Sequence, residues 1–254
     1  PPPAPRRPPG RAAAEALHRP PSSPEGPTNR ARHRPPTGIV RPDREECPPM
    51  TDHGLFIDHV IYGVRNVDEA ARRLWDEYGL GSVPGGTLMG GSAHRLVPLE
   101  PPTFLELLGV EDETQSDGAW LAGAVAGGDR PIWWVVGTDD MDTLAARRGI
   151  PVVRGEIPQL DGTVADFQTA GMHRFPLPFF IQHQADRRSH WERRYEEAGH
   201  RCAPGAITFV EVGEPPELLA SWLGEHDLPV RHDPGPIGIR GVGIATAGGE
   251  IVLR

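Results

Sequence analysis

Continuous runs of apolar residues recur three times along the chain, and each run predicts a buried strand. The runs are IDHVIYGV (Ile57 to Val64), IWWVVGT from Ile132 and ITFVEVG from Ile207. They are rich in β-branched and aromatic residues and carry a glycine at or near the end, which is typical of a strand bounded by a turn. Their starts lie about 75 residues apart, and this repetition indicates one structural unit used three times.

A helix is predicted after each of these strands, because apolar residues recur there at helical spacing. In the first unit Asn66 is placed to cap the helix, and Glu69 lies three residues further on in capping-box position. The helices are predicted over about 68–78, 140–148 and 215–223, and each ends at a glycine: Gly79, Gly149 and Gly224.

Further extended segments follow each helix, so each unit is predicted as β-α-β-β-β. They are HRLVPL and TFLELLGV in the first unit, TVADFQT and LPFFIQH in the second, and two segments near the C-terminus in the third. One helix with several hairpin-connected strands indicates an α+β fold. We expect a mostly antiparallel sheet with helices on its outer face, built from units at about 55–112, 130–184 and 205–254.

The first 49 residues differ from the rest and are predicted to be a disordered tail. Half of the 30 prolines of the chain precede Met50. Such a segment buries too little apolar surface to offset its ordering entropy. Two interpretations are open: a genuine unstructured arm, or an extension of the gene model upstream of a true start at Met50. The folded domain is predicted to span residues 50–254.

Composition and charge exclude several classes of protein. All 26 basic residues are arginine, so neither a P-loop nor a pyridoxal phosphate site, which both need lysine, is expected. Residues 1–49 carry nine arginines and five acidic residues, whereas the remainder carries 17 arginines against 30 acidic residues. An acidic body argues against a nucleic-acid partner.

The chain is also predicted to be soluble and cytoplasmic. No apolar run approaches the roughly 18 residues of a membrane helix, so no membrane partner is expected. No secretory signal is recognised in the first residues. Two cysteines, Cys47 and Cys202, do not make a disulfide framework.

Two ionisable residues stand inside apolar strands and are the main candidates for chemistry. His59 and Glu106 would be costly to bury unless they are paired. We interpret them as a pair that faces a pocket, acting as metal ligands or acid–base groups; the alternatives are a structural pair or exposure to solvent. His94, Trp133 and Gln182 are candidate substrate-binding residues. If Gln182 points inward, strand alternation sends His183 outward.

The order of these motifs resembles a known family. IDHVIYGVRNVDEAARRLWDEYGL, then HRLVPL, then TFLELLGV closely resembles the opening of glyoxalase-like domains of the vicinal oxygen chelate superfamily, and LPFFIQH is similar to a later family strand. The resemblance covers about residues 55–254 and is strongest in the first unit. It implies paired βαβββ modules that form a cupped sheet, with a small-molecule ligand and a divalent metal in the cup.

The resemblance also implies roles for particular residues. His59 and Glu106 match the metal ligands of the first module and would be catalytic as well, with Zn, Fe, Mn or Ni as the ion. The second module departs from the pattern, because Trp133 falls opposite His59 and Gln182 falls opposite Glu106. Phe209 and Glu250 fall at these places in the third unit, so only part of a metal set is present.

Two classes of function follow from the resemblance. The first is a lyase, isomerase or ring-cleaving dioxygenase that acts on a small molecule with metal assistance. The second is a module that binds a small molecule without chemistry, as drug-resistance members of the superfamily do. The sequence leaves open whether the protein forms a homodimer.

Overall fold

A computed structural model describes residues 54–85, 88, 90–158, 164–183 and 187–254. The predicted tail and its boundary at Met50 lie outside these residues. No helix in the described part of the chain is long and apolar enough to cross a membrane.

Twelve strands and five α-helices make up the described part of the chain. The first module contains β1 (Phe56–Val64), α1 (Val67–Tyr78), β2 (Val83–Pro84), β3 (Ser92–Pro98) and β4 (Phe104–Val110), and α2 (Ser116–Ala124) follows it. The second module contains β5 (Arg130–Gly137), α3 (Met141–Arg148), β6 (Val152–Pro158), β7 (Val164–Ala170) and β8 (Phe179–His183). The remaining elements are α4 (Arg187–Ala198), β9 (Ile207–Val212), α5 (Pro216–Leu223), β10 (Val230–His232), β11 (Ile239–Thr246) and β12 (Gly249–Leu253).

The first two modules form one curled eight-stranded sheet in the order β2-β3-β4-β1-β5-β8-β7-β6. Strand β1 pairs in parallel with β4 and antiparallel with β5, and β5 pairs in parallel with β8. The other pairings in this sheet are antiparallel. The predicted α+β fold with a cupped sheet of βαβββ modules is therefore confirmed.

The third unit has a different strand order, and its predicted equivalence to the first two is wrong. Its separate four-stranded sheet has the order β10-β9-β11-β12, so its first strand, β9, pairs with its second and third strands. In the first two modules the first strand pairs with the fourth. The tight turn between β11 and β12 pairs these strands directly. The pattern of strands and turns along the sequence did not distinguish the strand order of the third unit from that of the first two modules.

The first helix begins and ends where the local sequence signals predicted. The side chain of Asn66 accepts hydrogen bonds from the backbone N–H groups of Asp68 and Glu69, which satisfies two donors at the start of α1. Gly79 ends the helix with φ 73° and ψ 19°, a left-handed conformation that favours glycine.

The helices lie on both faces of the large sheet. Helix α1 contacts β3 and β4, and helix α3 contacts β6, β7 and β8; their side chains Leu74 and Leu144 lie in the main core with Leu107. Helices α2 and α4 instead pack on the opposite face of the sheet, where Leu121 packs with Ile61 and Trp191 packs with Phe104. The sequence analysis placed the helices on one face only, and it predicted neither α2 nor the packing of α4 on the sheet.

We expect Trp191→Ala to destabilise the protein by about 3 kcal/mol, because this side chain is only 6% exposed and its removal leaves a cavity against the sheet. Urea unfolding followed by circular dichroism measures the loss. The exposed Arg193 on the same helix provides a control, since Arg193→Ala is expected to change stability by less than about 0.5 kcal/mol. Equal small effects would mean that α4 does not pack on the sheet.

Candidate functional site

Three side chains predicted from the sequence meet on one face of the sheet. His59 on β1, Glu106 on β4 and His94 on β3 project from adjacent strands. His59 Nε2 lies 3.5 Å from Glu106 Oε2, and His94 Nδ1 lies 2.9 Å from Glu106 Oε1. The side chains of His59 and His94 are 7% and 5% exposed, respectively. Glu106 is therefore held between two buried imidazoles.

Asp58 is a fourth member of this group, and the sequence analysis missed it. Strict alternation places neighbouring residues on opposite faces of a strand. The pairing of β1 with β5 shifts register between Ile57 and His59, so Asp58 occupies a β-bulge. A bulge re-aims side chains, and here Asp58 Oδ1 lies 2.6 Å from His59 Nδ1. Asp58 is fully buried.

The side chains of Gln182 and His183 lie on the opposite faces of β8 from those expected. The Gln182 amide oxygen accepts from the Met141 backbone N–H at 2.8 Å, and its amide nitrogen donates to the Asp139 carbonyl at 2.7 Å. Gln182 thus supports the start of α3 and does not point into the cup with Glu106. His183 Nε2 instead lies 3.6 Å from Asp58 Oδ2, so His183 joins the group.

Trp133 lies on the same face of the sheet as His59 but among apolar residues. Its indole N–H donates to the Leu177 carbonyl at 2.7 Å, and its ring makes edge contacts with Phe175 and Phe179. In register it pairs with Ile61, two residues beyond His59. Its predicted role in substrate binding stays a prediction.

One of the two sequence-based matches in the second module is wrong. Gln182 was matched to Glu106, but its side chain hydrogen-bonds at the start of α3 and lies away from the face of Glu106. Trp133, which was matched to His59, packs in the apolar cluster that includes Ile61, two residues beyond His59. The match of Trp133 to His59 stays a prediction.

A stack of aromatic rings covers His59. The Phe104 ring lies on the His59 imidazole with centroids 4.4 Å apart, and the Trp191 ring lies on Phe104 with centroids 4.2 Å apart. Both pairs are within about 16° of parallel. The stack excludes water from one side of the site and links α4 to β1.

Hydrogen bonding and charge set the protonation states of the site. Burial alone would raise the pKa of Glu106, but hydrogen bonds from His59 and His94 lower it to about 2. Burial alone would lower the pKa of His59, but Asp58 and Glu106 outweigh it and raise the pKa. Glu106 is thus ionised and accepts hydrogen bonds only. His94 Nδ1 must then carry the proton that it shares with Glu106.

The donor atoms do not fit the complete metal centre that the resemblance implies. His59 Nε2 and Glu106 Oε2 lie 3.5 Å apart, which is the separation of two ligands that bind one ion with bonds of about 2.1 Å. His94, however, turns Nδ1 to the other oxygen of Glu106, and the second module places mainly apolar side chains, such as Val135 and Ile181, on this face. Among the described residues no three His, Cys, Asp or Glu side chains are grouped to hold a metal.

The lowered pKa of Glu106 makes stability depend on pH. Its stabilising contribution is full above the ordinary value of 4.5 and is lost as the pH falls toward about 2. The difference corresponds to about 3 kcal/mol. We expect the unfolding free energy of the wild type to fall by about that much more than that of Glu106→Gln between about pH 5 and pH 2. Glu250→Gln, at an exposed carboxylate, is the control, and parallel curves for wild type and Glu106→Gln would contradict the prediction.

Comparisons with known proteins agree with this fold. A family model described as a glyoxalase-like domain matches residues 57–226, which is more than half of the chain. No curated protein matches the chain. Among solved structures, a hypothetical protein from Staphylococcus aureus is 16% identical with a TM-score of 0.51, and the match covers 78% of this chain and 98% of that one.

Methylmalonyl-CoA epimerases are also among the similar structures. One is 18% identical, with a TM-score of 0.41 and coverage of 54% of this chain and 99% of that one. The enzyme from Streptomyces coelicolor, in complex with 2-nitronate-propionyl-CoA, is 20% identical, with a TM-score of 0.39 and coverage of 51% and 97%. With the family match over most of the folded modules, the chain belongs to the glyoxalase-like domain family of the vicinal oxygen chelate superfamily.

Proposed function

We propose that this protein is an enzyme that binds a small organic molecule at the concave face and moves a proton on it. The observation that carries the proposal is the placement of ionised Glu106, whose side chain is only 15% exposed, between the imidazoles of His59 and His94. Buried ionisable groups with shifted pKa values, brought together on one face, are typical of acid–base sites.

His94 is the base in this proposal. With Nδ1–H donating to Glu106, Nε2 is the ring nitrogen that is left to accept a proton. That atom is buried and has no hydrogen-bond partner in the described part of the chain. An unsatisfied buried acceptor is costly, and a proton-donating ligand would satisfy it. Glu106 fixes the orientation of the ring and stabilises the imidazolium that forms.

His59 supplies positive charge next to the base. Its raised pKa keeps a proton on the ring, because Asp58 and Glu106 lie on its two sides. An anion that develops when a C–H bond next to a carbonyl loses its proton is stabilised by such a fixed charge. The proposed reaction class is therefore an isomerase or lyase reaction that begins with proton removal from a small carbonyl compound.

Binding without chemistry is the second candidate function. Val135 and Ile181 of the second module lie in an apolar cluster with Ile61 and Leu121. An apolar surface with few polar groups suits ligand sequestration. This candidate predicts ligand binding that depends on the aromatic stack and does not depend on His94.

Hydrogen exchange distinguishes the two candidates. A panel of small 2-substituted carboxylic acids and their thioesters is incubated with the protein in D2O, and loss of the C–H signal is followed by NMR. We expect exchange catalysed by the wild type and slowed at least about 100-fold in His94→Gln and Glu106→Gln. His173→Gln, at an exposed histidine, should retain the activity. Thermal stabilisation by a panel member without exchange would favour sequestration.

Metal ligation by His59 and Glu106 remains a separate prediction. It is tested by measuring Zn, Fe, Mn and Ni in purified wild type, His59→Ala and Glu106→Gln. Among the described residues, His59 and Glu106 are two donors spaced for one ion, and two donors bind an ion weakly. We therefore expect less than one tightly held ion per chain, and we expect the catalysed hydrogen exchange to survive a chelator. A stoichiometric ion that both variants lose would replace the acid–base proposal with a metal-assisted one.

A further inference from the structure

Strand β6 ends the large sheet, and its side chains are exposed on both faces. No strand in the described part of the chain pairs with its outer edge. Val153 is 54% exposed, and the charged side chains of Arg154 and Glu156 are also exposed. Edge strands of this kind are templates for pairing with another strand.

We propose that β6 pairs antiparallel with β6 of a second copy of this chain, around a two-fold axis at Gly155. The large sheets of the two copies then form one continuous sheet. A two-fold interface uses the same patch twice, so the sequence of β6 must be complementary to itself when reversed. This proposal concerns assembly and does not depend on the function proposed above.

The charges of β6 select this register. With the axis at Gly155, Arg154 of each copy lies opposite Glu156 of the other, which gives two ion pairs. Side chains directly opposite on antiparallel strands share a face and interact. An axis at Arg154 would place the two Arg154 side chains opposite each other, and an axis at Glu156 would do the same with two carboxylates. Both alternatives are disfavoured by like-charge repulsion.

The residue at the axis is also suited to this pairing. A side chain there would face its own copy across the axis, and Gly155 has none. The Phe167 ring of the neighbouring strand β7 fills the space, because a Cβ placed on Gly155 would lie 2.5 Å from that ring. This arrangement is a known way of stabilising glycine near a sheet edge. On the same face, Val153 lies opposite Ile157 of the second copy, which adds an apolar contact.

Charge reversal tests the proposal on the full chain. Molar mass is measured by light scattering and sedimentation at high micromolar concentration for wild type, Arg154→Glu and Glu156→Arg. We expect a wild-type dimer and a dissociation constant at least about tenfold higher in each single variant, because each reversal creates two like-charge pairs. Arg72→Glu, an equal charge reversal at an exposed position on α1, should leave the dimer unchanged.

Two recombinations make the test specific for the register. The double variant Arg154→Glu/Glu156→Arg restores both ion pairs and should dimerise as the wild type does. An equimolar mixture of the two single variants should form a heterodimer, since each chain then meets opposite charges. A monomeric wild type, a dimer unaffected by the single reversals, or failure of both recombinations would overturn the proposal. Circular dichroism of each variant confirms that it is folded.

Discussion

The burial of two carboxylates, Asp58 and Glu106, is the constraint on which the rest of the site depends. Moving a carboxylate out of water costs several kcal/mol unless partners compensate it. Here each carboxylate contacts imidazoles: Asp58 contacts His59 and His183, and Glu106 contacts His59 and His94. Acidic and basic groups therefore alternate across strands of both modules. The register of these strands must be maintained, because a displacement of one residue would leave a buried charge without its partner.

The two halves of the sheet share a topology but differ in chemistry. The first module supplies His59, His94 and Glu106, whereas the second supplies mainly apolar residues on the same face. Helix α2 contacts β3 and β4, and helix α4 contacts β2 and β3; Leu121 of α2 packs in the apolar cluster that includes Val135. The ionisable groups are therefore concentrated in one part of this face and have apolar surroundings, which strengthen their mutual electrostatic interactions.

Sequence reasoning succeeded where a local signal determined the structure. The cap at Asn66, the helix end at Gly79 and the apolar strands each depend on neighbouring residues, and the motifs around His59 and Glu106 led to the fold. It failed where pairing between distant strands decided the outcome. The bulge at Asp58 depends on the pairing of β1 with β5, and the direction of the Gln182 side chain depends on its hydrogen bond at the start of α3. The position of β9 in its sheet depends on its pairing with β11. Helix α4 carries many charges along its length, so its sequence alone did not predict that Trp191 is buried.

The stack of aromatic rings connects helix α4, which lies outside the strands, to the site. Trp191 on α4 touches Phe104, and Phe104 touches His59, so the tilt of the helix is transmitted to the imidazole in two contacts. Loops and helices that connect modules accept sequence change more readily than paired strands do. Divergence within α4 can therefore change the surroundings of the His59 ring while every strand residue of the site stays the same, and relatives with identical strand motifs need not have identical sites.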